Sequence, residues 1–285
     1  MSMPSLHPAK QSRLRAHFGF TNLPFRKNIV AAKMFDSSGQ RSLRHGLHMW
    51  LEVRGLGLLT GQSGSGKSIT VRNFVSTLSP EQYTVHHFQQ IPTTPNGFLR
   101  ALSRRLGLSP RMHLSDMFDA IQATLAAHQE EHGTHVVLLF DDAEGMRVAT
   151  LDLVRRLTAS ELDSTNHVSI LLTGTEDLMR TLQAPTLTPL RSRFTYAHTL
   201  RPFGLEDTRN YLRFHLDSAN GEPSIFTDGA VKLLFNQSQG VPRKINQLAL
   251  QALVDAVVLG SDGVDDQSMA RTIHAHPLYG KSPSR

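Results

Sequence analysis

The 285-residue sequence predicts an α/β protein, in which helices cover a parallel sheet and a small lid made of helices alone follows. Three observations predict this class. Between residues 57 and 200, short apolar segments alternate with segments of helical periodicity, as in a parallel sheet joined by crossover helices. A glycine-rich loop joins the first apolar segment to the first helical one. After Pro202 only helical patterns remain, so the boundary between sheet and lid is predicted near Arg201.

Five strands account for the predicted sheet. In chain order they cover residues 57–60, 83–88, 135–140, 168–173 and 194–200. The third is almost wholly apolar, as expected of a central strand that is buried on both faces.

Helices are predicted between these strands and throughout the lid. They cover residues 67–78, 95–106, 115–131, 148–163, 206–217, 228–236 and 242–259. The last begins with Pro242, in a first helical turn where the missing N–H costs little, and it repeats apolar residues along one face.

The chain is expected to have four parts: a basic arm, the α/β core, the helical lid and a flexible tail. They cover residues 1–17, 18–201, 202–276 and 277–285. The arm is predicted because Lys10, Arg13 and Arg15 lie there among Pro, Ser and His, and such charged segments are usually solvated. The tail is polar and is expected to fray.

Composition and charge narrow the class of protein further. Hydrophobic residues make up 39% of the chain, which is enough for a packed core, and the absence of cysteine excludes disulfides and thiolate metal sites. No apolar run approaches the roughly 18 residues of a membrane-spanning helix, and the first residues lack the apolar segment of a secretory signal. We therefore expect a cytoplasmic protein without a membrane partner. The net charge of +6 favours an anionic partner, of which nucleic acid is the common one.

The glycine-rich loop carries the pattern G-x-x-x-x-G-K-[ST] of a phosphate-binding loop. Glycines let successive N–H groups point into one hollow, and the helix that follows adds its positive end. Lys67 is expected to reach the β- and γ-phosphates of ATP, and the Ser68 hydroxyl to coordinate Mg²⁺. The predicted nucleotide-binding residues are Gly61, Gln62, Ser63, Gly64, Ser65, Gly66, Lys67 and Ser68.

Carboxylates follow the third predicted strand, at the sheet edge where α/β proteins bind ligands. Asp141 is expected to hold Mg²⁺, and Asp142 to polarise the water that attacks the γ-phosphate. Glu144 lies two residues further on and is a second candidate. Thr173 ends the fourth strand, where its hydroxyl is expected beside Asp141 and could sense the γ-phosphate. The shorter side chain of Asp142, where Glu is common, leaves the rate of hydrolysis open.

Three arginines outside these motifs are further candidates. Arg191 and Arg193 precede the fifth strand, where a cation in an oligomeric ATPase can enter the neighbour's active site as an arginine finger. Arg193 is the preferred residue, and a surface arginine is the alternative. Arg243, in the first turn of the last long helix, is expected to reach the nucleotide, with Asn246 on the same helix face.

A histidine pair at the end of the third predicted helix has the spacing of two metal ligands. His128 and His132 are four residues apart, but a zincin-type helix needs Glu directly after the first His, and Gln129 stands there. We expect a solvated helix face.

The order of these motifs resembles that of AAA+ ATPases. Within them the chain is similar to the group that contains ExeA/GspA-type secretion ATPases and the transposition regulators TniB and TnsC. The resemblance runs over residues 18–260, from the lead-in Phe-Thr-Asn-Leu-Pro-Phe at 20–25 to Gly-Val-Pro-Arg at 240–243. It departs at residues 141–144, which read Asp-Asp-Ala-Glu where members often read Asp-Glu-Ala-Gln. The secretion branch usually continues into a membrane helix, which is not expected after Gly260.

The resemblance implies an ATPase that forms rings or helical filaments on double-stranded DNA and recruits a transposase and other transposition proteins. Arg100, Arg104 and Arg105 are candidates for DNA contact, although a solvated helix face explains them equally well. Two alternatives are an accessory ATPase of secretion or envelope assembly, and a nucleotide-gated scaffold that hydrolyses little ATP because of Asp142.

Overall fold

The computed structural model describes residues 8–26, 34–158 and 166–279, which form two compact units. The strands are β1 (Leu56–Gly61), β2 (Tyr83–Phe88), β3 (His135–Phe140), β4 (Val168–Gly174) and β5 (Phe194–Leu200). The helices are α1 (Pro8–Phe18), α2 (Ser38–Val53), α3 (Lys67–Ser76), α4 (Pro95–Arg105), α5 (Leu114–His132), α6 (Val148–Leu157), α7 (Glu176–Leu182), α8 (Thr188–Arg191), α9 (Leu205–Asp217), α10 (Asp228–Ser238), α11 (Pro242–Leu259) and α12 (Asp266–Ala275).

The α/β unit spans Ser38–Arg201 and contains the five-stranded sheet. Every pair of neighbouring strands is parallel and the order is β2-β3-β4-β1-β5, which confirms the predicted α/β class. Strand β3 is buried along its whole length, because successive side chains point to opposite faces and both faces are covered. Val136 and Leu138 pack into the core on one side of the sheet, and Val137 and Leu139 into the core on the other.

The helical unit contains Met1–Ser37 and Pro202–Arg285. Helices α9 to α12 and helix α1 enclose one apolar core, whose members include Leu14, Phe20 and Phe25. The predicted division therefore differs from the observed one at its N-terminal side. The segment expected to begin the α/β core at residue 18 packs instead with the helices, because its aromatic side chains find their partners there.

The predicted arm is a second difference. Of residues 1–17, those described belong to α1, and Leu14 on this helix is only 1% exposed. A single large apolar residue among cations is too weak a pattern to predict a buried helix face from the sequence. Within the predicted tail, Tyr279 packs against the helical core, and its carbonyl oxygen accepts a hydrogen bond from Gln237 Nε2 at 3.0 Å.

The remaining differences concern helix ends and short helices. The predicted helix 148–163 ends at Leu157, and its last predicted residues, 159–163, lie outside the described part of the chain. Helices α7, α8 and α12 have no counterpart among the predicted elements. Within the described ranges, no helix combines the length and the apolar content that crossing a membrane requires.

Candidate nucleotide-binding site

The glycine-rich loop connects the carboxyl end of β1 to the first turn of α3. Gly64 and Gly66 have φ angles of 83° and 107°, in the left-handed region that favours glycine. A Cβ on Gly61 would lie 2.6 Å from the carbonyl oxygen of Leu200, so β1 and β5 can approach here only because residue 61 has no side chain. The sequence thus folds into a tight loop in front of a helix N-terminus.

Lys67 is the first residue of α3, at the end of this loop, and is 6% exposed. Its ammonium donates hydrogen bonds to the carbonyl oxygens of Gly61 at 2.9 Å and Gln62 at 3.4 Å. The side chain therefore turns back over the loop, where a cation can meet bound phosphate oxygens. Ser68 is exposed in the first turn of α3, and Ser65 is buried with an Oγ that has no hydrogen-bond partner among the described residues.

Of the other predicted loop residues, Gln62 and Ser63 are exposed, and Gly64 and Gly66 are partly exposed. The residues at the mouth of the loop thus face solvent, while Gly61, Ser65 and Lys67 are buried. This division fits a loop that holds a ligand with its backbone and anchors itself with a few side chains.

Asp141 and Thr173 meet beside the loop. Asp141 follows β3 and is 8% exposed, and Thr173 lies in β4, whose register places it opposite Leu59 of β1. The Thr173 hydroxyl donates a short hydrogen bond to Asp141 Oδ1. The hydroxyl fixes the orientation of the carboxylate at the same sheet edge from which the phosphate loop extends. Hydroxyl and carboxylate oxygens are ligands suited to Mg²⁺, so Ser68 and Asp141 form a donor set that fits this ion.

The two carboxylates that follow Asp141, those of Asp142 and Glu144, have different surroundings. Asp142 is exposed, has a φ angle of 55° and donates its backbone N–H to Asp141 Oδ1 at 3.2 Å. Glu144 is partly buried and its Oε2 accepts a hydrogen bond from the backbone N–H of Thr175 at 3.3 Å. Glu144 therefore lies over the end of β4, where a backbone N–H holds its carboxylate, whereas the contact of Asp142 with Asp141 restricts the Asp142 backbone.

Two residues near the site carry no motif and were not predicted. Gln40 of α2 is 4% exposed, and its Nε2 lies 3.7 Å from the position that a Cβ on Gly66 would occupy. Thr175 positions Glu144 through its backbone N–H. A polar residue just after a predicted strand is a weak signal that could have found Thr175, whereas nothing in the sequence points to Gln40.

The two candidate finger arginines lie at the other end of the sheet. Arg193 directly precedes β5 and is partly buried, and its Nη1 donates to the carbonyl oxygen of Thr158 at 3.5 Å. Arg191 is exposed and donates to Thr188 Oγ1 at 3.0 Å. Because β5 pairs with β1 from its first residue, β1 separates Arg193 from the phosphate loop of the same chain by about 20 Å. The structure does not bring either arginine to that loop.

The other predicted site residues lie elsewhere. Arg243 is exposed in the first turn of α11, within the helical unit, and its contact with nucleotide stays a prediction. On α4, Arg100 donates to Asn96 Oδ1 at 3.0 Å, and Arg104 is exposed. The Arg105 guanidinium lies 5.6 Å from the centre of the Phe88 ring at the sheet edge.

The histidine pair on α5 packs ring on ring, with the centroids of His128 and His132 4.5 Å apart. His128 Nε2 lies 3.2 Å and 3.0 Å from the hydroxyl oxygens of Thr84 and Thr134. Burial lowers the pKa of His128, with the charge of His132 as a smaller cause. Within the described residues, no three His, Cys, Asp or Glu side chains are grouped as a metal site would need.

Comparison with known proteins gives the context of this geometry. Residues 51–182 match a family described as AAA domain. General secretion pathway protein A of Aeromonas hydrophila is 31% identical over 248 residues, which are 86% of this chain and 45% of that protein. The chain thus spans less than half the length of this curated relative.

Solved structures share the fold at low sequence identity. The ORC2 protein of Aeropyrum pernix matches with a TM-score of 0.62 and 13% identity, over 88% of this chain and 71% of the other. The Drosophila ORC bound to DNA matches with a TM-score of 0.64 and 14% identity, over 96% of this chain and 68% of the other. At such identities the likeness concerns the fold alone.

Proposed function

We propose that the chain is a magnesium-dependent ATPase, on the premise that residues 51–182 match an AAA domain and that general secretion pathway protein A is 31% identical over 86% of this chain. One observation supports the proposal: the buried Lys67 ammonium after β1, and the Asp141 carboxylate after β3, which Thr173 of the intervening strand β4 holds, lie at the same carboxyl edge of the sheet. A cation for phosphate oxygens and an oriented carboxylate for a metal are what phosphoryl transfer requires of a protein.

Each residue has a distinct part in the proposed reaction. Lys67 and the loop N–H groups bind the phosphates, and Ser68 and Asp141 would hold Mg²⁺. The ion, when bound, neutralises charge that develops on the phosphate oxygens. Asp142 accepts a hydrogen bond from the attacking water, with Glu144 as the second candidate, and the Thr173 hydroxyl keeps Asp141 turned toward the loop.

Calorimetry with ATP tests the proposal. We expect Lys67→Ala to lose ATP binding and turnover, because the loop then lacks its cation. Lys232→Ala removes an exposed lysine of α10 and serves as the charge-matched control. ATP binding of equal strength by the Lys67→Ala and Lys232→Ala proteins would exclude this loop as the nucleotide site.

We propose that the chain uses ATP to assemble on DNA. In this proposal the chain is cytoplasmic, forms a ring or filament on double-stranded DNA, and recruits a transposase. The net charge of +6 and the three arginines of α4 support a polyanionic partner. The fold is also shared with ORC structures, one of which is bound to DNA.

A second candidate is an accessory ATPase of secretion or envelope assembly, favoured by the relative from the general secretion pathway. Fluorescence anisotropy with duplex DNA and a non-hydrolysable ATP analogue distinguishes the two. DNA binding that weakens steeply with salt supports the first candidate. The second candidate is supported if the chain does not bind DNA and is recovered in membrane fractions only when a partner protein is present.

A further inference from the structure

The turn that follows α12 is held against α10 and α11 through Tyr279. The Tyr279 carbonyl oxygen accepts a hydrogen bond from Gln237 Nε2 of α10 at 3.0 Å, and the Tyr279 hydroxyl donates a short hydrogen bond to Gln247 Oε1 of α11. The Tyr279 ring stacks on that of His276, with the ring centroids 4.5 Å apart. Contacts at its backbone, its ring and its hydroxyl therefore fix this side chain in place.

Arg243 lies beside Tyr279 at the start of α11. It precedes Gln247 by four residues, and side chains with this spacing are neighbours on one face of a helix. Burial raises the pKa of Tyr279, and the positive charge of Arg243 opposes that rise, as expected of a guanidinium near the phenol. Arg243 itself is exposed. A fixed tyrosine thus stands next to an exposed arginine and limits the orientations of its side chain.

We propose that Tyr279 is a positioning residue for Arg243 and holds its guanidinium in the orientation that contacts the γ-phosphate of ATP. The inference rests on the proposed ATPase function and on the predicted contact of Arg243 with nucleotide. A long side chain loses conformational freedom when it binds a ligand, and restricting it beforehand reduces that loss. Because ADP has no γ-phosphate, Tyr279 is expected to favour the binding of ATP over that of ADP.

Packing alone is the other role that these contacts allow, since Tyr279 also lies against the apolar core of the helical unit. A residue that only supports packing changes the affinities for ATP and ADP by the same factor. Its effect also does not depend on the side chain at position 243. The preference for one nucleotide over the other, measured with and without Arg243, therefore separates positioning from packing.

The test measures the Kd values of ADP and of a non-hydrolysable ATP analogue by calorimetry in the presence of Mg²⁺. The variants are Tyr279→Phe, Arg243→Gln and the two substitutions combined. Gln247→Ala removes the same hydrogen bond from its other partner and leaves the tyrosine intact. The matched control is Tyr196→Phe, which removes a hydroxyl that donates to the Leu43 carbonyl oxygen at 3.5 Å in the α/β unit.

We expect Arg243→Gln to lower the preference for the ATP analogue over ADP by about 10- to 100-fold, the effect of losing a hydrogen bond between charged groups. Tyr279→Phe and Gln247→Ala are each expected to lower it by about 2- to 10-fold, because a neutral hydrogen bond is lost. In the Arg243→Gln protein, adding Tyr279→Phe should change the preference no further, since the effect passes through the arginine. Tyr196→Phe should keep the preference of the unmodified chain.

Two outcomes overturn the inference and leave the ATPase function standing. The first is a Tyr279→Phe protein that keeps the nucleotide preference of the unmodified chain, or that shows the same loss of preference with and without Arg243. The second is an unchanged preference in Arg243→Gln, which removes the arginine from the nucleotide contact. If the unmodified chain binds neither nucleotide, the ATPase function itself fails, and the inference fails with it.

Discussion

At the residue scale, two carboxylates that follow β3 are candidates for orienting the attacking water. Asp142 is exposed and its backbone is tied to Asp141, whereas Glu144 extends to the end of β4 and is held by Thr175. A residue that orients water must reach the nucleotide, and the exposed side chain of Asp142 favours it for this role. Glu144 is the alternative, and its substitution tests the assignment.

We predict that Asp142→Asn lowers kcat by about 10²–10⁴, the usual contribution of a positioned general base. Glu144→Gln is expected to lower kcat far less, because it removes a negative charge near the site rather than the group that accepts the proton. Single-turnover hydrolysis measures the chemical step, and calorimetry beside it separates lost chemistry from lost binding. A larger effect of Glu144→Gln would transfer the role to Glu144.

Lengthening the same side chain tests whether the chain hydrolyses ATP at a useful rate. We predict that Asp142→Glu lowers steady-state turnover, because the added methylene displaces a carboxylate whose backbone is fixed in a left-handed conformation. A large rise in turnover would instead favour the nucleotide-gated scaffold, in which the shorter carboxylate keeps hydrolysis slow.

At the element scale, the junction after α10 depends on Gly240. This residue has a φ angle of 69°, and a Cβ placed there would lie 1.9 Å from the carbonyl oxygen of Phe203. The backbone N–H of Phe203 also donates to the Gly240 carbonyl oxygen at 2.9 Å. Two segments of the helical unit therefore approach each other through a position that only glycine can occupy.

We predict that Gly240→Ala lowers the free energy of unfolding by about 1–3 kcal/mol for the backbone conformation and by a further ~1–3 kcal/mol for the overlap. Gly260→Ala is the matched control, because Gly260 has a φ angle of 67° and no described atom within 4 Å of its added Cβ. Urea unfolding followed by circular dichroism measures both. Equal losses would mean that backbone conformation alone matters at Gly240.

A buried histidine gives the helical unit a predicted pH dependence. His215 Nδ1 accepts a hydrogen bond from Phe25 N at 3.2 Å, and burial lowers its pKa to about 4. Between pH 6.5 and pH 4 the unfolded chain therefore binds a proton that the folded chain does not. Acidification through this range favours unfolding, since stability rises with pH wherever the unfolded state binds more protons.

We predict that the unmodified chain loses about 2 kcal/mol more stability between pH 7 and pH 5 than His215→Asn. The asparagine keeps a polar group on α9 but cannot take up the proton. Thermal or urea unfolding at the two pH values gives the comparison, and the lower absolute stability of the variant cancels in the difference. The same pH dependence in both proteins would show that His215 is already charged when folded.

The sequence predicted those parts of the site whose structure is local. The loop at 61–68 and the carboxylate after β3 follow from short patterns that fix both conformation and chemistry within a few residues. The meeting of Thr173 with Asp141 was predictable because parallel strands bring their carboxyl ends to one edge. The position of Gln40 beside Gly66 was not, because it depends on how α2 packs.

Tertiary contacts explain the errors in the predicted fold. Leu14 looks like an isolated apolar residue among cations, and the apolar residues from Phe18 to Phe25 give no sign of which unit they join; only their partners in the helical unit make them core. No local pattern reveals that Phe25 N is satisfied by His215, 190 residues away. Sequence reasoning therefore grouped Phe20 and Phe25 with the α/β core, whereas they pack in the helical unit, and it left the strand order for the structure to define.

At the scale of the whole molecule, the α/β unit carries complementary chemistry at its two ends. The carboxyl edge of the sheet holds Lys67, Asp141 and Thr173, and the amino end of β5 holds Arg193. A group about 20 Å from the loop of its own chain cannot act there. In a head-to-tail assembly, however, one end of each subunit faces the other end of the next, and such interfaces generate rings or filaments.

We predict that Arg193→Ala lowers ATP turnover of the assembled protein by about 10³-fold or more and spares ATP binding, since a finger stabilises charge that develops during transfer. Arg191→Ala is the control, because Arg191 is exposed and, among the described contacts, is bonded only to Thr188 of its own helix.

Mixing two variant proteins shows whether the finger acts between subunits. Arg193→Ala subunits retain the phosphate loop, and Lys67→Ala subunits retain the arginine. Their mixture should recover turnover well above either protein alone, because some interfaces then pair an intact loop with an intact finger. No recovery, in mixtures shown by light scattering to co-assemble, would mean that Arg193 supports only its own chain.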